Sequence, residues 1–330
     1  MSIENSFVIV FVDIVLFGLW RNWAPDVIRC ALDVGAAMWI SQHFADVPEA
    51  ARRCVVAIGN FDGVHRGHQK LLAVARARAA ELNAYPVVLT FDPHPRRVFN
   101  PGIAPQKLMP ALVKLEAIAR YGIAGALVQH FDRHFASLTA EEFIAAVLVG
   151  ALGVSHVVVG EDYRFGARRT GDVDLLCRLG RTRSFGVTAV EPVRDAGGHI
   201  ISSSRVRCAL REGRITDATE MLGRHWEIMG QAQRRDGVLA IPLGDLQRPG
   251  PGMYDVQITG DQGPRTQWDG ALRSVAGFPV AVGAAGDMLH VPTPPHCFSD
   301  RAVRIRLLDR FQSGLSSADV EHLPSHEHAA

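Results

Sequence analysis

The spacing of apolar and polar residues changes along the chain and marks its elements. Residues 54–58 (C-V-V-A-I) are a short, continuous apolar run, rich in β-branched side chains and ended by Gly59, which is the pattern of a buried strand. Residues 68–82 place Leu71, Leu72, Ala75 and Ala79 at helical spacing. Further strands are predicted at 86–91, 125–130, 156–159 and 186–190. Helices are predicted at 110–121, stopped by Gly122, and at 139–148. The second opens with Thr139 and carries Glu142 three places on, a capping box. Another helix starts at Ser203 and runs to 212. Short apolar strands alternating with amphipathic helices predict a parallel sheet covered on both faces, an α/β Rossmann-like domain. Ligands in such sheets sit beyond the carboxyl ends of the strands, so function is expected just after Ile58, Phe91 and Val159.

From about Trp226 the pattern becomes Gly- and Pro-rich short runs (V-L-A-I-P-L, M-Y-D-V-Q-I, R-A-V-R-I-R-L-L), which predicts a second, smaller and mostly β domain. Residues 313–330 are polar and read as a disordered tail. No internal repeat or low-complexity tract is present. Near the start, residues 7–20 form an apolar run of fourteen with Asp13 inside it. A membrane helix needs about 20 apolar residues, and no basic stretch or small-residue cleavage site flanks the run. A buried strand or helix, a membrane anchor, and a segment outside the working protein all stay open for it.

The length of 330 residues suits about two domains. A net charge of +1 argues against nucleic acid as a partner, since no long basic stripe exists. Five scattered cysteines with no C-x-x-C pair argue against a disulfide framework or a zinc ribbon, and fit a cytoplasmic protein.

The segment after the first strand carries the chemistry: Gly59-Asn-Phe-Asp-Gly-Val-His-Arg-Gly-His68. A glycine-bearing turn enters a helix that holds His65 and His68 at i, i+3, so both imidazoles share a face. The helix N-terminus offers free N–H groups and a favourable dipole for phosphate. Gly67 is expected to let a nucleotide approach the backbone. A metal pair competes, but zinc protease helices use i, i+4 histidines with a glutamate between them. A purely structural pair is the other alternative.

This decapeptide resembles the signature of the bacterial FAD synthetases, the nucleotidyltransferase modules of bifunctional riboflavin kinase/FMN adenylyltransferases. Four further stretches resemble the family's motifs in order: T-F-D-P-H-P at 90–95, V-G-E-D-Y-R-F-G at 159–166, I-S-S-S-R-V-R at 201–207 and the helix at 213–223. The resemblance covers about residues 38–230. It implies transfer of AMP from ATP to FMN, with His65, His68 and Arg207 as catalytic residues. It further implies that Gly59, Asn60, Phe61, Asp62, Gly63 and Gly67, with Ser203 and Ser204, bind ATP. The flavin side would use Asp92, His94, Asp162 and Arg164. Each of Ser203, Arg207, His94 and Asp162 also has a bland reading, as a cap, a solvated arginine, a loop former and a turn residue. Mg²⁺ is implied as a cofactor, with ligands the sequence does not name. Small molecules, not a membrane, are the expected partners.

Two departures from the family stand out. Its kinase barrel has a G-x-P-T-A-N run, and residues 230–244 here hold no Thr and no Asn. The glutamate expected before the last strand is replaced by Asp300, Arg301 and Ala302. A barrel without riboflavin kinase activity is therefore expected at 226–312, after a nucleotidyltransferase domain at 38–225. Met38 stands where family members usually begin, so residues 1–37 read as an over-called start or an added extension. A related H-x-G-H transferase with another phosphate acceptor, or a non-catalytic flavin or nucleotide sensor, remain the alternative functions.

Overall fold

The computed structural model describes residues 28–31, 37–100, 102, 106–235, 238–260, 275–282, 288–292 and 302–310. The apolar run 7–20, Asp300, Arg301 and the tail 313–330 lie outside the described residues. These residues fall into two compact units, one made of 28–226 with 245–249, the other of 227–244 with the chain after 250.

The first unit is the predicted α/β domain. Its sheet joins β1 (Ile28–Ala31), β2 (Ala37–Ser41), β3 (Cys54–Ile58), β4 (Tyr85–Asp92), β5 (Gly125–His130), β6 (His156–Gly160) and β7 (Gly186–Val190). The order is β1-β2-β5-β4-β3-β6-β7. The six strands from β2 to β7 pair in parallel, and β1 pairs antiparallel with β2. β1 lies inside the stretch read above as an extension. All five residues of β3 are buried, which is why its sequence is continuously apolar rather than alternating. α1 (Arg66–Glu81) buries Leu71, Leu72, Ala75 and Ala79, the stripe its spacing predicts. α2 (Pro95–Phe99) and α3 (Ala111–Ala119) follow β4. α4 (Arg133–Ala136) follows β5. α5 (Ala140–Phe143) has the predicted capping box, with Glu142 N–H donating to Thr139 Oγ1 and Thr139 N–H to the Glu142 carboxylate. It continues beyond the predicted end as a π-helix, Ile144–Ala151, closed by Leu152 N–H to Val147 O five residues back. α6 (Val173–Arg183), α7 (Ser203–Arg211) and α8 (Ile215–Leu222) complete the unit. From β3 the chain spreads one way to β4 and β5 and the other way to β6 and β7. The carboxyl end of β3 is therefore the topological switch point, where such sheets hold ligands.

The second unit is an antiparallel sheet. Its strands are β8 (Trp226–Gln231), β9 (Gln233–Arg235), β10 (Val238–Pro242), β11 (Gly252–Gly260), β12 (Val275–Val282), β13 (Met288–Pro292) and β14 (Ala302–Arg310). The order is β8-β14-β11-β12-β13-β10-β9. Its two end strands, β8 and β9, are separated in sequence by Ala232 alone. β9 and β10 pair Arg235 with Val238, leaving two residues between them. Buried Glu227 is gripped by Arg304 and Arg306, each at 2.6 Å.

Candidate active site

The loop between β3 and α1 is held in a strained shape. Phe61 and Val64 have φ of 50° and 41°, in the left-handed region that non-glycine residues avoid. Such strain persists only where surroundings over-determine it. Here they do. Phe61 and Val64 are fully buried. Arg224 donates to Gly63 O at 2.8 Å and to Val64 O at 3.2 Å. Gln69 donates to Val64 O at 2.8 Å. Gly63, at φ 84°, lies under Leu108, and a Cβ there would stand 2.7 Å from Leu108 Cδ1.

This loop delivers His65 as the N-cap of α1. Its Nδ1 accepts the His68 N–H at 3.4 Å, so the neutral ring carries its proton on Nε2. The rings of His65 and His68 stack at 3.7 Å between centroids and 20° between planes. Gly67 makes this possible in a different way from that expected. A Cβ on it would stand 3.1 Å from the His65 ring, so the space left by the missing side chain is filled by His65 itself. His68 Nδ1 is buried and has no hydrogen-bond partner among the described residues.

Burial drives the His65 pKa down to about 4, helped by Arg224 and Arg207. Burial also holds His68 well below its ordinary value, with the charges of His65, Lys114 and Arg224 adding to it. Both rings are therefore neutral hydrogen-bond donors at pH 7, not cations. Below the ordinary value of 6.5 the unfolded chain takes up protons that the native histidines refuse. Their contribution to stability is whole above pH 6.5 and is lost as the pH falls toward about 4. Urea midpoints measured between those limits should fall with pH. A His65→Gln, His68→Gln variant should show a flatter dependence.

Behind the histidines lies a buried ion pair. Asp62 receives the Arg207 guanidinium and both Asp62 oxygens accept the Leu108 N–H, at 2.9 and 3.1 Å. Arg207 Nε also donates to Gln106 O at 2.7 Å. Burial pushes the Asp62 pKa up, and Arg207 pulls against it. Arg207 is thus neither a solvated arginine nor a free clamp, because two of its nitrogens hold the protein's own loop. Ser203 sits in the first turn of α7 and donates to Asp62 O at 2.8 Å. The N-cap of that helix is Ser202, not Ser203, and Ser204 is exposed beside it.

An open cleft lies between the ends of β3 and β4, lined by Asn60, Asp62, Phe91, Asp92, His94, Lys107 and Lys114 among others. His94 caps α2 by accepting the Arg96 N–H at 3.2 Å. Burial lowers the His94 pKa to about 4, and Arg207, Arg96, Lys114 and Lys107 add to the effect. Asp92 and Asp245 both pair with Lys107 at 3.3 Å. Thr90 Oγ1 donates to Asn60 O at 3.1 Å and accepts from Lys114 Nζ at 3.2 Å. Asp162 and Arg164 do not line this cleft. They follow β6, and Arg164 pairs with Asp172, the N-cap of α6, at 3.0 Å. The structure thus brings Asn60, Asp62, Asp92 and His94 together and joins Asp62 to Arg207 and Ser203.

Sequence reasoning missed Lys114. The signal was there: Lys114 shares a helix face with Ala117 and Ile118, both buried, so a lysine stands on an apolar stripe. It also missed Arg224 and Gln69, whose partners are backbone carbonyls and leave no mark in sequence.

The FAD synthetase family model matches residues 47–205. The bifunctional riboflavin kinase/FMN adenylyltransferase of Pseudomonas fluorescens is 39% identical over 237 residues, 68% of this chain and 75% of that protein. The chain belongs to the FAD synthetase family. The bifunctional riboflavin kinase/FMN adenylyltransferase of Escherichia coli K12 is 37% identical over 63% of this chain and 68% of its own length. The FAD synthetase of Listeria monocytogenes is 36% identical over 62% of this chain and 81% of its own length. Among solved structures, a chain described as a macrolide-efflux protein from Streptococcus pneumoniae superposes with a TM-score of 0.67 at 26% identity, over 82% of this chain and 98% of that one. The matched residues include His65 and His68, which stack as described above. Among the described residues, no helix is long and apolar enough to cross a membrane.

Proposed function

We propose that this protein transfers AMP from ATP to FMN, giving FAD and pyrophosphate. The observation that carries the reading is a pair of stacked, neutral histidines at the N-terminus of α1, beside a cleft whose charged walls suit a second phosphate. An oxygen of the FMN phosphate forms the new bond to the α-phosphorus of ATP. The bond from that phosphorus to the bridging oxygen breaks, and pyrophosphate leaves with the electron pair. The nucleophile is already anionic, so no general base is needed, and catalysis is positioning and charge stabilisation. The N–H groups of His65 and His68, with the free N–H groups of the first turn of α1, would hold the α- and β-phosphate oxygens as charge moves to the leaving group. Arg207 and Ser203 act from behind, by fixing Asp62 and the loop.

Mg²⁺ fits this chain poorly as a resident ion. Among the described residues no three His, Cys, Asp or Glu side chains gather to hold a metal, and Asp62 and Asp92 already have cationic partners. Magnesium in this reading arrives with the triphosphate.

The reading includes loss of riboflavin kinase activity. The stretch 230–244, where the family's G-x-P-T-A-N run is expected, has no Thr or Asn. The two residues between β9 and β10 in sequence are Asp-Gly, the sequence signal of a tight hairpin rather than of a phosphate loop. Purified protein with ATP, Mg²⁺ and FMN should form FAD and pyrophosphate, read by the fall in flavin fluorescence and by chromatography. With riboflavin in place of FMN, neither FMN nor FAD should appear. Absence of FAD in the first assay would sink the main reading, and FMN in the second would sink the loss of the kinase.

A further inference from the structure

The charges around the cleft are paired unevenly. Asp62 belongs to Arg207, and Asp92 belongs to Lys107, which also takes Asp245. Lys114 is left over. It is buried, its Nζ reaches Thr90 Oγ1 at 3.2 Å, and none of the described carboxylates lies within ion-pair distance of it. Burying an ammonium is costly, and burial lowers its pKa, with the charges of Asp92 and Asp62, neither in contact with it, offsetting only part of that. A buried cation with no direct ion pair, reached by the charges of Asp92 and Asp62 only from beyond contact, on the wall of an open cleft is a seat for an anion.

Composition sharpens this. The chain has only three lysines, Lys70, Lys107 and Lys114, against 32 arginines, and two of the three line this cleft. A guanidinium is planar and broad, whereas an ammonium is a compact point charge on a thin stem, which suits a buried site beside Thr90. Position agrees as well. Lys114 lines the cleft together with His94 of the loop after β4, and its charge acts on His94 and on His68. A nucleophilic phosphate must lie next to the α-phosphorus held by those histidines.

We propose that Lys114 seats the phosphate of the acceptor, a phosphomonoester dianion, and that this contact makes the site choose FMN over riboflavin. The inference rests on the adenylyl-transfer reading above and adds to it the residue that recognises the acceptor. A cation there also screens the repulsion between two phosphate groups brought into contact.

The full-length chain labelled with ¹³C at lysine Cε gives one signal for each of three lysines. Lys70→Arg and Lys107→Arg variants assign them by elimination. FMN should move the Lys114 signal, riboflavin should not, and calorimetry should show FMN binding at least about tenfold tighter. Lys114→Met should bring the FMN affinity down to that of riboflavin and leave riboflavin within about twofold. Lys114 is buried, so if the Met variant fails to fold the wild-type spectrum alone decides. FMN that binds without moving the Lys114 signal overturns the proposal. So does a signal that moves with ATP alone, which would give Lys114 to the triphosphate. A folded Met variant that keeps the preference overturns it too. Failure of both flavins to bind overturns the adenylyl-transfer reading and this inference with it, a different outcome from FMN binding elsewhere.

Discussion

His68→Ala is expected to lower kcat for FAD formation by about 10²–10³-fold, the usual cost of removing one preorganised donor to a developing oxyanion. The geometry explains why the loss should fall on kcat. His68 is half-buried, its buried Nδ1 has no partner among the described residues, and its ring is clamped between His65 at 3.7 Å and Phe61 at 5.2 Å. A neutral ring fixed in that stack cannot follow a weakly bound ground state. It serves where charge appears, on the oxygens around the α-phosphorus and the leaving pyrophosphate. His65→Ala should cost as much or more. It removes a donor, and it removes the N-cap that organises the first turn of α1. The two effects should not add, because each ring holds the other, so the double variant should be little worse than His65→Ala alone. Steady-state kinetics with ATP and FMN, with circular dichroism to confirm folding, measures this. A His68→Ala enzyme with wild-type kcat would remove the histidine pair from the chemistry.

Much of the frame was legible because its signals are local. β3, β5 and β7 fall where continuous apolar runs bounded by glycine put them, and α1 buries the residues its spacing names. Other elements depend on distant contacts. β2 (A-M-W-I-S) lacks a clear strand pattern, and its place at Trp39 is set by Gly125, whose missing side chain makes room for the indole in the adjacent strand. α6 carries Gly180 inside it, and no helix is predicted there from the sequence. In the fold a Cβ there would stand 2.6 Å from Phe185 O, so the glycine serves the packing against the next strand. The candidate site divides in the same way. His65 and His68 follow from a motif at one strand end. That Asp62 would be occupied by Arg207, 145 positions later, could not be read from either motif alone. The resemblance puts both residues at the substrate, and the fold adds that they are bound to each other, with Asp62 on the cleft wall.

That pairing leads to the largest expected effect on stability. Arg207→Met should destabilise the first unit by about 3–5 kcal/mol, the cost of leaving one charge of a buried pair uncompensated. Asp62 is 8% exposed, and without Arg207 its remaining support is the Leu108 N–H, with Lys114 acting at a distance. The carboxyl is already pushed up by burial, and loss of the guanidinium removes the main opposing pull. Its pKa in the folded variant should rise well above the unfolded value. An acid whose folded pKa is raised loses stability as pH climbs from the unfolded value through the folded one, so the defect should be milder at pH 5 than at pH 8. Asp62→Asn in the Arg207→Met background should recover a large part of the loss, because the amide needs no counter-ion and can still accept the Leu108 N–H. Urea unfolding of the single and double variants at the two pH values checks each step. If Arg207 were instead a free clamp for the triphosphate, Arg207→Met would fold as stably as the parent and fail only in ATP binding. A stable variant with a raised KM for ATP would therefore reverse the assignment and return Arg207 to the substrate.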